Sequence, residues 1–229
     1  MIPMPVFNPA CSTTLIPGSV SRNLLSLFRL AAEAGRAATT AHSRPQVQGE
    51  ELDDIQKSQQ GDSDAYERLV RRHQEHVGRI CWRFTRDPNT HEELVQDVFV
   101  EAYLSLRTYR GQSPLEHWLA RIATRVGYRF WKKSKRPGAE ALQLEDWDRL
   151  ADSGNSNNPA ETAELVHKLL SMLKPKDRLV LTLRYLEGLS IEETADRIGW
   201  SRTAVKVQSW RARSKLQQVI QERGIEVEL

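Results

Sequence analysis

The chain is 229 residues long, with a formal net charge of +3, 39% apolar residues and 28% charged residues. This length suits one large or two small domains. Two cysteines cannot build a disulfide scaffold, and no apolar run approaches the length of a membrane span.

Residues 1–50 are rich in proline, alanine and clusters of serine and threonine. They are poor in acids, with Arg22, Arg29, Arg36 and Arg44 set against Glu33 and Glu50. An organellar transit peptide shares this composition with a disordered extension. The compact apolar core and cleavage site of a secretory signal are missing, and the segment is read as a disordered N-terminal extension.

From Asp53 to Arg136 the apolar spacing is helical. Gly61 ends a short first helix, and Asp62 to Asp64 open a long second one. The stripe Tyr66, Leu69, Val70, His73, Val77, Ile80, Cys81 and Phe84 makes Cys81 a buried structural thiol. Asp87-Pro88-Asn89 breaks this helix, and Thr90 with Glu93 forms a capping box for a third. The third helix has a buried face of Leu94, Val95, Val98, Phe99, Ala102, Tyr103 and Leu106. A second face carries Glu93, Gln96, Asp97, Val100, Glu101 and Leu104 at three- and four-residue steps. On its own this face reads as a solvated acidic surface with two incidental apolar residues; a protein docking surface has the same pattern.

Tyr109 to Gln112 is a loop. Ser113, Pro114 and Glu116 supply an N-cap, a first-position proline and a capping glutamate for a fourth helix. That helix buries Leu115, Trp118, Leu119, Ile122, Val126 and Phe130. One edge carries Arg121, Arg125 and Arg129, extended by Lys132, Lys133, Lys135 and Arg136, with Tyr128 and Trp131 between them. Like charges four residues apart repel by about 0.2–0.5 kcal/mol per pair, so the run fits a polyanionic partner. Aromatics among the cations suit unstacked bases of a single strand.

The sign then reverses, with Glu140, Glu145, Asp146, Asp148, Asp152 and Glu161 against Arg149. Residues 137–159 are read as a flexible acidic linker. A second helical unit spans 160–224, followed by a short tail at 225–229. Within it, Ser190 with Glu193 makes a capping box, Gly199 ends that helix and Ser201 caps the next. A glycine turn before a long basic helix suits insertion into a DNA major groove. The outward face offers Arg202, Thr203, Lys206, Val207 and Trp210, while Arg211, Arg213 and Lys215 flank it toward phosphates.

Signals for catalysis and metal binding are weak. His73 and His76 form a helical pair without a third ligand, and no glycine-rich phosphate loop, HExxH, CxxC or GxSxG motif occurs. The chain therefore reads as a non-enzyme with no cofactor and no metal. The expected fold is all-α, with two small helical domains at 51–136 and 160–224.

These segments together resemble a bacterial sigma factor of the extracytoplasmic-function type, in the sigma-70 family. ELVQDVFVEAYLSL at Glu93 to Leu106 is similar to the family's core-binding helix. TYRGQSPLEHWLARIA at Thr108 to Ala123 is similar to its loop and helix for the minus-ten element. Leu173 to Lys206 resembles its fourth region, which reads the minus-thirty-five element. The resemblance implies a subunit that directs core RNA polymerase to promoters. It places Glu93, Gln96, Asp97 and Val100 against the clamp helices of the polymerase's largest subunit. Arg110, Gly111, Gln112 and Ser113 would receive a flipped base of the nontemplate strand, held by Arg121, Arg125, Tyr128 and Arg129. Arg202, Thr203, Lys206, Trp210, Arg211 and Arg213 would face minus-thirty-five duplex. A cytoplasmic location follows, with an anti-sigma protein as a further expected partner.

Three positions depart from the family pattern. Arg125 stands where asparagine is common, Ser209 where a buried leucine is expected, and Trp210 in place of the usual histidine. Either Trp210 turns inward to fill the space or the helix packs differently. The competing reading is a stand-alone helix-turn-helix regulator, which would not need a basic helix with a capped loop in its first domain.

Overall fold

The computed structural model describes residues 45–134 and 159–222. The expected extension over 1–44, the acidic linker over 137–158, the tail, Cys11, Lys135 and Arg136 lie outside the described residues. Among the described residues every regular element is helical. They are α1 (Pro45–Gln59), α2 (Ser63–Cys81), α3 (Pro88–Ser105), a 3-10 turn (Leu106–Thr108) and α4 (Leu115–Ser134). After the linker come α5 (Pro159–Ser171), α6 (Pro175–Leu181) with a π-helical turn (Thr182–Leu186), α7 (Ile191–Ile198) and α8 (Arg202–Glu222).

Helix starts follow capping chemistry. Asp62 accepts from the backbone N–H groups of Asp64 and Ala65 at 2.9 and 3.0 Å and opens α2 as expected. α1 begins at Pro45, well before Asp53, so residues 45–50 belong to a helix and not to the extension. A proline is tolerated in the first turn because its missing N–H has no helical partner there. The cap of α3 also differs from expectation: Asp87, not Thr90, is the N-cap, with Pro88 in the first turn. The Asp87 carboxylate accepts from both the backbone N–H and the hydroxyl of Thr90, at 2.7 and 2.6 Å. At α4 the Pro114 carbonyl accepts from His117 and Trp118, so Pro114 precedes the helix. Glu116 does not turn back as a cap; it pairs with His76 Nδ1 at 2.8 Å.

Helices α1 to α4 enclose the first core, with Ile55 entering it from α1. Leu69, Val77, Ile80 and Cys81 of α2 meet Leu94, Val98 and Ala102 of α3 and Leu115, Leu119, Ile122 and Val126 of α4. Burial pushes the Cys81 thiol up to about 12, as befits an inert core residue. Phe84 lies against Gly127, where an added Cβ would stand 2.2 Å from its ring. Trp131 overturns its expected exposure. It is 3% exposed, its indole N–H donates to the Phe84 carbonyl at 2.7 Å, and its ring centroid lies 4.5 Å from that of Phe84. A satisfied indole N–H lets so large a ring enter a core. Tyr103, expected inside, is exposed and meets Tyr66 edge-on.

The second core gathers Leu165, Val166, Leu169, Leu170 and Leu173 with Leu181 and Leu186, closed by Ala212, Leu216 and Ile220 of α8. Asp177, 2% exposed on its side chain, accepts from Lys215 at 2.7 Å and from Gln208, tying α6 to α8. The two domains are not separate bodies on a tether. Leu179 and Leu183 join the first core, and α4 packs on both α6 and α7.

Candidate nucleic-acid interface

A loop between α3 and α4 forms an open concavity. It encloses about 340 Å³ and is lined by Thr108, Tyr109, Arg110, Gln112, Ser113, Trp118 and Arg121. Gly111 takes a positive φ of 69°, a conformation suited to glycine, and lets the loop turn back on itself. Tyr109 locks the turn by donating its hydroxyl to the Ser113 carbonyl at 2.6 Å. Gln59, far away in sequence, braces the other side by donating to the carbonyls of Leu106 and Tyr109, each at 3.0 Å. Arg121 donates to Ser113 Oγ at 3.0 Å, so one cation lies at the rim.

The half-buried Tyr109 and Trp118 line the concavity, with ring centroids 5.4 Å apart and planes tilted by 56°. Trp118 was expected in the core; it is half-buried because it lines both core and pocket. The residues Arg110, Gly111, Gln112, Ser113 and Arg121 are thus brought together. Tyr109, Trp118 and Gln59 complete the pocket and were missed. The aromatic spacing around the loop was the available signal for the first two; Gln59 had none.

Arg125 and Arg129 differ from their expected freedom. Both bond the same carboxylate, Glu101 of α3, with Arg125 Nε at 2.7 Å and Arg129 Nη2 at 2.5 Å. Burial would raise the Glu101 carboxyl, but these two hydrogen bonds more than offset it and hold it below its usual value. The basic edge therefore carries an internal counterion from a neighbouring helix. Tyr128 is half-buried, with Lys132 Nζ 5.8 Å from its ring centroid.

The outer face of α3 exposes Glu93, Gln96 and Asp97 beside Val100 and Leu104, the last two 60% and 76% exposed. Tyr103 borders this patch. Glu101 is withdrawn from it by the two arginines.

In the second domain the helix-turn-helix has the expected caps. Ser190 Oγ accepts from the Glu193 N–H at 3.1 Å, and Glu193 accepts from the Ser190 N–H at 2.7 Å. Gly199 ends α7 at φ 72°, and Ser201 Oγ accepts from the Ala204 N–H at 3.1 Å. Val205, Ser209, Ala212, Leu216 and Ile220 form the buried stripe of α8. The opposite face exposes Arg202, Thr203, Lys206, Val207, Trp210 and Arg211. Trp210 is 63% exposed, so it does not turn inward, and Ser209 is left inside without a hydrogen-bond partner. Arg202 pairs with Glu192 at 2.7 Å on the surface. Arg213 is half-buried, which shortens its reach, and Lys215 is engaged by Asp177 and not free for phosphate.

Residues 69–137 match the family model for sigma-70 region 2, and residues 163–216 match that for sigma-70 region 4. The extracytoplasmic-function RNA polymerase sigma-E factor of Haemophilus influenzae is 31% identical over 177 residues, covering 73% of this chain and 93% of the relative. The chain is an extracytoplasmic-function sigma factor of the sigma-70 family. The corresponding sigma-E factor of Escherichia coli strain K12 is 29% identical, over 73% of this sigma factor and 92% of the relative. A solved structure of CnrH in complex with the cytosolic domain of CnrY shares the fold, with a TM-score of 0.50 at 24% identity, over 76% of this chain and 98% of that one.

As a sigma factor the protein directs RNA polymerase to promoters, and the stand-alone regulator is not favoured. Region 2 covers the first domain, the part a lone regulator would not need. Among the described residues no helix is long and apolar enough to cross a membrane, and no group of three or more His, Cys, Asp or Glu side chains could hold a metal.

Proposed function

We propose that three separate faces of this sigma factor divide the work of initiation. The outer face of α3 docks the clamp helices of the polymerase's largest subunit, with Val100 and Leu104 supplying apolar area and Glu93, Gln96 and Asp97 supplying orientation. Exposed apolar residues beside uncommitted carboxylates suit a partner that is both greasy and basic. The pocket at Arg110, Gly111, Gln112 and Ser113 takes one unstacked base of the minus-ten nontemplate strand. A flipped base needs a shaped cavity with aromatic walls and polar rim groups, and Tyr109, Trp118 and Arg121 provide them. Arg125, Tyr128 and Arg129 hold the neighbouring strand once phosphates compete with Glu101 for the two guanidinium groups.

Arg202, Thr203, Lys206 and Trp210 face the major groove of the minus-thirty-five element, while Arg211 and Arg213 approach its phosphates. The protein makes and breaks no bonds itself, and it works in the cytoplasm, where its promoters are. The observation that carries this reading is the aromatic-lined pocket in the loop between α3 and α4, braced by Gln59 and by the Tyr109 hydroxyl.

The test is specific run-off transcription by core polymerase with a promoter library. Replacing Gln96 and Asp97 together by alanine should abolish core binding while the helical circular dichroism and melting stay unchanged; intact binding would refute the docking face. Trp118→Ala should leave core binding in place and lower promoter opening.

A further inference from the structure

Gln59, the last residue of α1, reaches the loop between α3 and α4 without lining its pocket. Its helix is firmly held on the rest of the domain. Ile55 enters the first core, and the 4%-exposed Asp54 accepts from Arg68 Nε and Nη2 at 2.9 and 2.7 Å. One turn earlier Glu51 stands 2.6 Å from His73 Nε2 of α2. From this anchored helix the half-buried Gln59 Nε2 donates to the carbonyls of Leu106 and Tyr109, 47 and 50 residues away.

Those two carbonyls bracket the 3-10 turn that leads into the pocket. The Leu106 carbonyl already accepts from the Tyr109 N–H at 3.0 Å, so the carboxamide adds a second tie across the same turn. Tyr109 is the last residue held this way before Arg110, Gly111 and Gln112, and its ring forms a wall of the pocket. A primary amide carries two N–H donors and can serve two acceptors at once. A thioether has no donor, and a carboxylate would set a negative charge against both carbonyls. Because Gln59 does not line the pocket, it can act on a bound base only through the turn and Tyr109.

We propose that Gln59 is a positioning residue for promoter opening. Its two hydrogen bonds hold the turn from Leu106 to Tyr109, and with it the Tyr109 wall, in the base-accepting shape before DNA arrives. The role rests on reading this concavity as the minus-ten base pocket. A wall ordered in advance removes the entropy cost of ordering it when the base enters. The effect therefore falls on the opening step, and not on docking to polymerase or on contact with minus-thirty-five duplex.

The experiment uses the full chain with core polymerase on a promoter taken from the run-off library. Permanganate oxidation of unpaired thymines is followed in time over a range of holoenzyme concentrations. This separates the initial binding constant from the limiting rate of opening. Gln59→Met and Gln59→Glu keep the length of the side chain but lack the donor pair. In both, the limiting rate should fall roughly tenfold, with initial binding and affinity for core unchanged. Gln59→Lys puts donors back at the end of a chain of similar reach and should restore most of the rate. Gln60→Lys places the same charge on the exposed neighbouring residue and should open like the native chain. A general loss of fold would lower the active fraction and leave the limiting rate alone.

Trp118→Ala, which alters the pocket wall itself, is measured alongside. Slow opening in Trp118→Ala beside native opening in Gln59→Met and Gln59→Glu overturns the positioning role alone. Unchanged opening in Trp118→Ala overturns the pocket assignment and the role with it. A loss confined to the initial binding constant, or a Gln59→Lys chain no faster than Gln59→Met, also overturns the role.

Discussion

Ser209 is a single residue at odds with its surroundings. It sits on the buried stripe of α8 between Val205 and Ala212, and its hydroxyl finds no partner. An unsatisfied buried hydroxyl costs about 1–3 kcal/mol, while an alanine methyl there would cost nothing in hydrogen bonds. Ser209→Ala should therefore raise stability by about 1 kcal/mol, read as an upward shift of the urea midpoint at constant slope. A lowered midpoint would mean that the hydroxyl is satisfied in solution. Beside it, Trp210 points outward from the same helix, so its ring does not take the place of the buried leucine that the family pattern puts at Ser209. What was legible at this scale was what depends on neighbours in sequence. The Ser190–Glu193 box, the Gly199 turn and the Ser201 cap all follow from residues within a few positions of each other. Trp131 was not legible, because its burial depends on Phe84, 47 residues earlier, and on Arg178 from the other domain.

Between elements, Glu101 is the joint of α3 and α4. It clamps α3 to α4 through Arg125 and Arg129, so the basic edge that looked unopposed along the sequence has its counterion one helix away. Periodicity reports which residues share a face; it does not report which face of another helix lies opposite. Glu101→Gln should have two effects of opposite sign. Loss of a largely solvent-screened double ion pair should cost about 1 kcal/mol of stability. Release of two guanidinium groups should tighten binding of single-stranded minus-ten DNA to the polymerase complex and steepen its salt dependence. Filter binding at two salt concentrations checks the second effect, and unchanged affinity would mean that the arginines do not touch the strand. Because the Glu101 carboxyl is held below its ordinary 4.5, its contribution is fully present above that value and disappears as pH falls through the lowered one. The variant should lose this part of the acid sensitivity.

At the scale of the whole molecule, stability and domain packing meet at His167. This imidazole lies in α5, accepts from Arg178 Nη2 at 2.9 Å and so must be neutral where the contact is made. Burial first, then the charges of Arg178 and Arg86, press His167 down to about 3 from 6.5. Burial and Arg86 likewise lower Arg178 to about 9, so it keeps its proton and its place over Trp131 at neutral pH. The sign follows directly. Between about 3 and 6.5 the unfolded chain binds a proton at this position that the folded chain refuses, so stability rises with pH across that window and is lost on acidification. Protonating His167 would set a third cation beside Arg178 and Arg86, with Glu164 as their nearest carboxylate, 3.9 Å from Arg86. His167→Gln keeps an acceptor for Arg178 but does not titrate. Between pH 7.5 and pH 5 its urea midpoint should fall less than that of the native chain. Parallel losses in the two proteins would place the acid sensitivity elsewhere, with the half-buried His76, paired with Glu116, as the next group to replace.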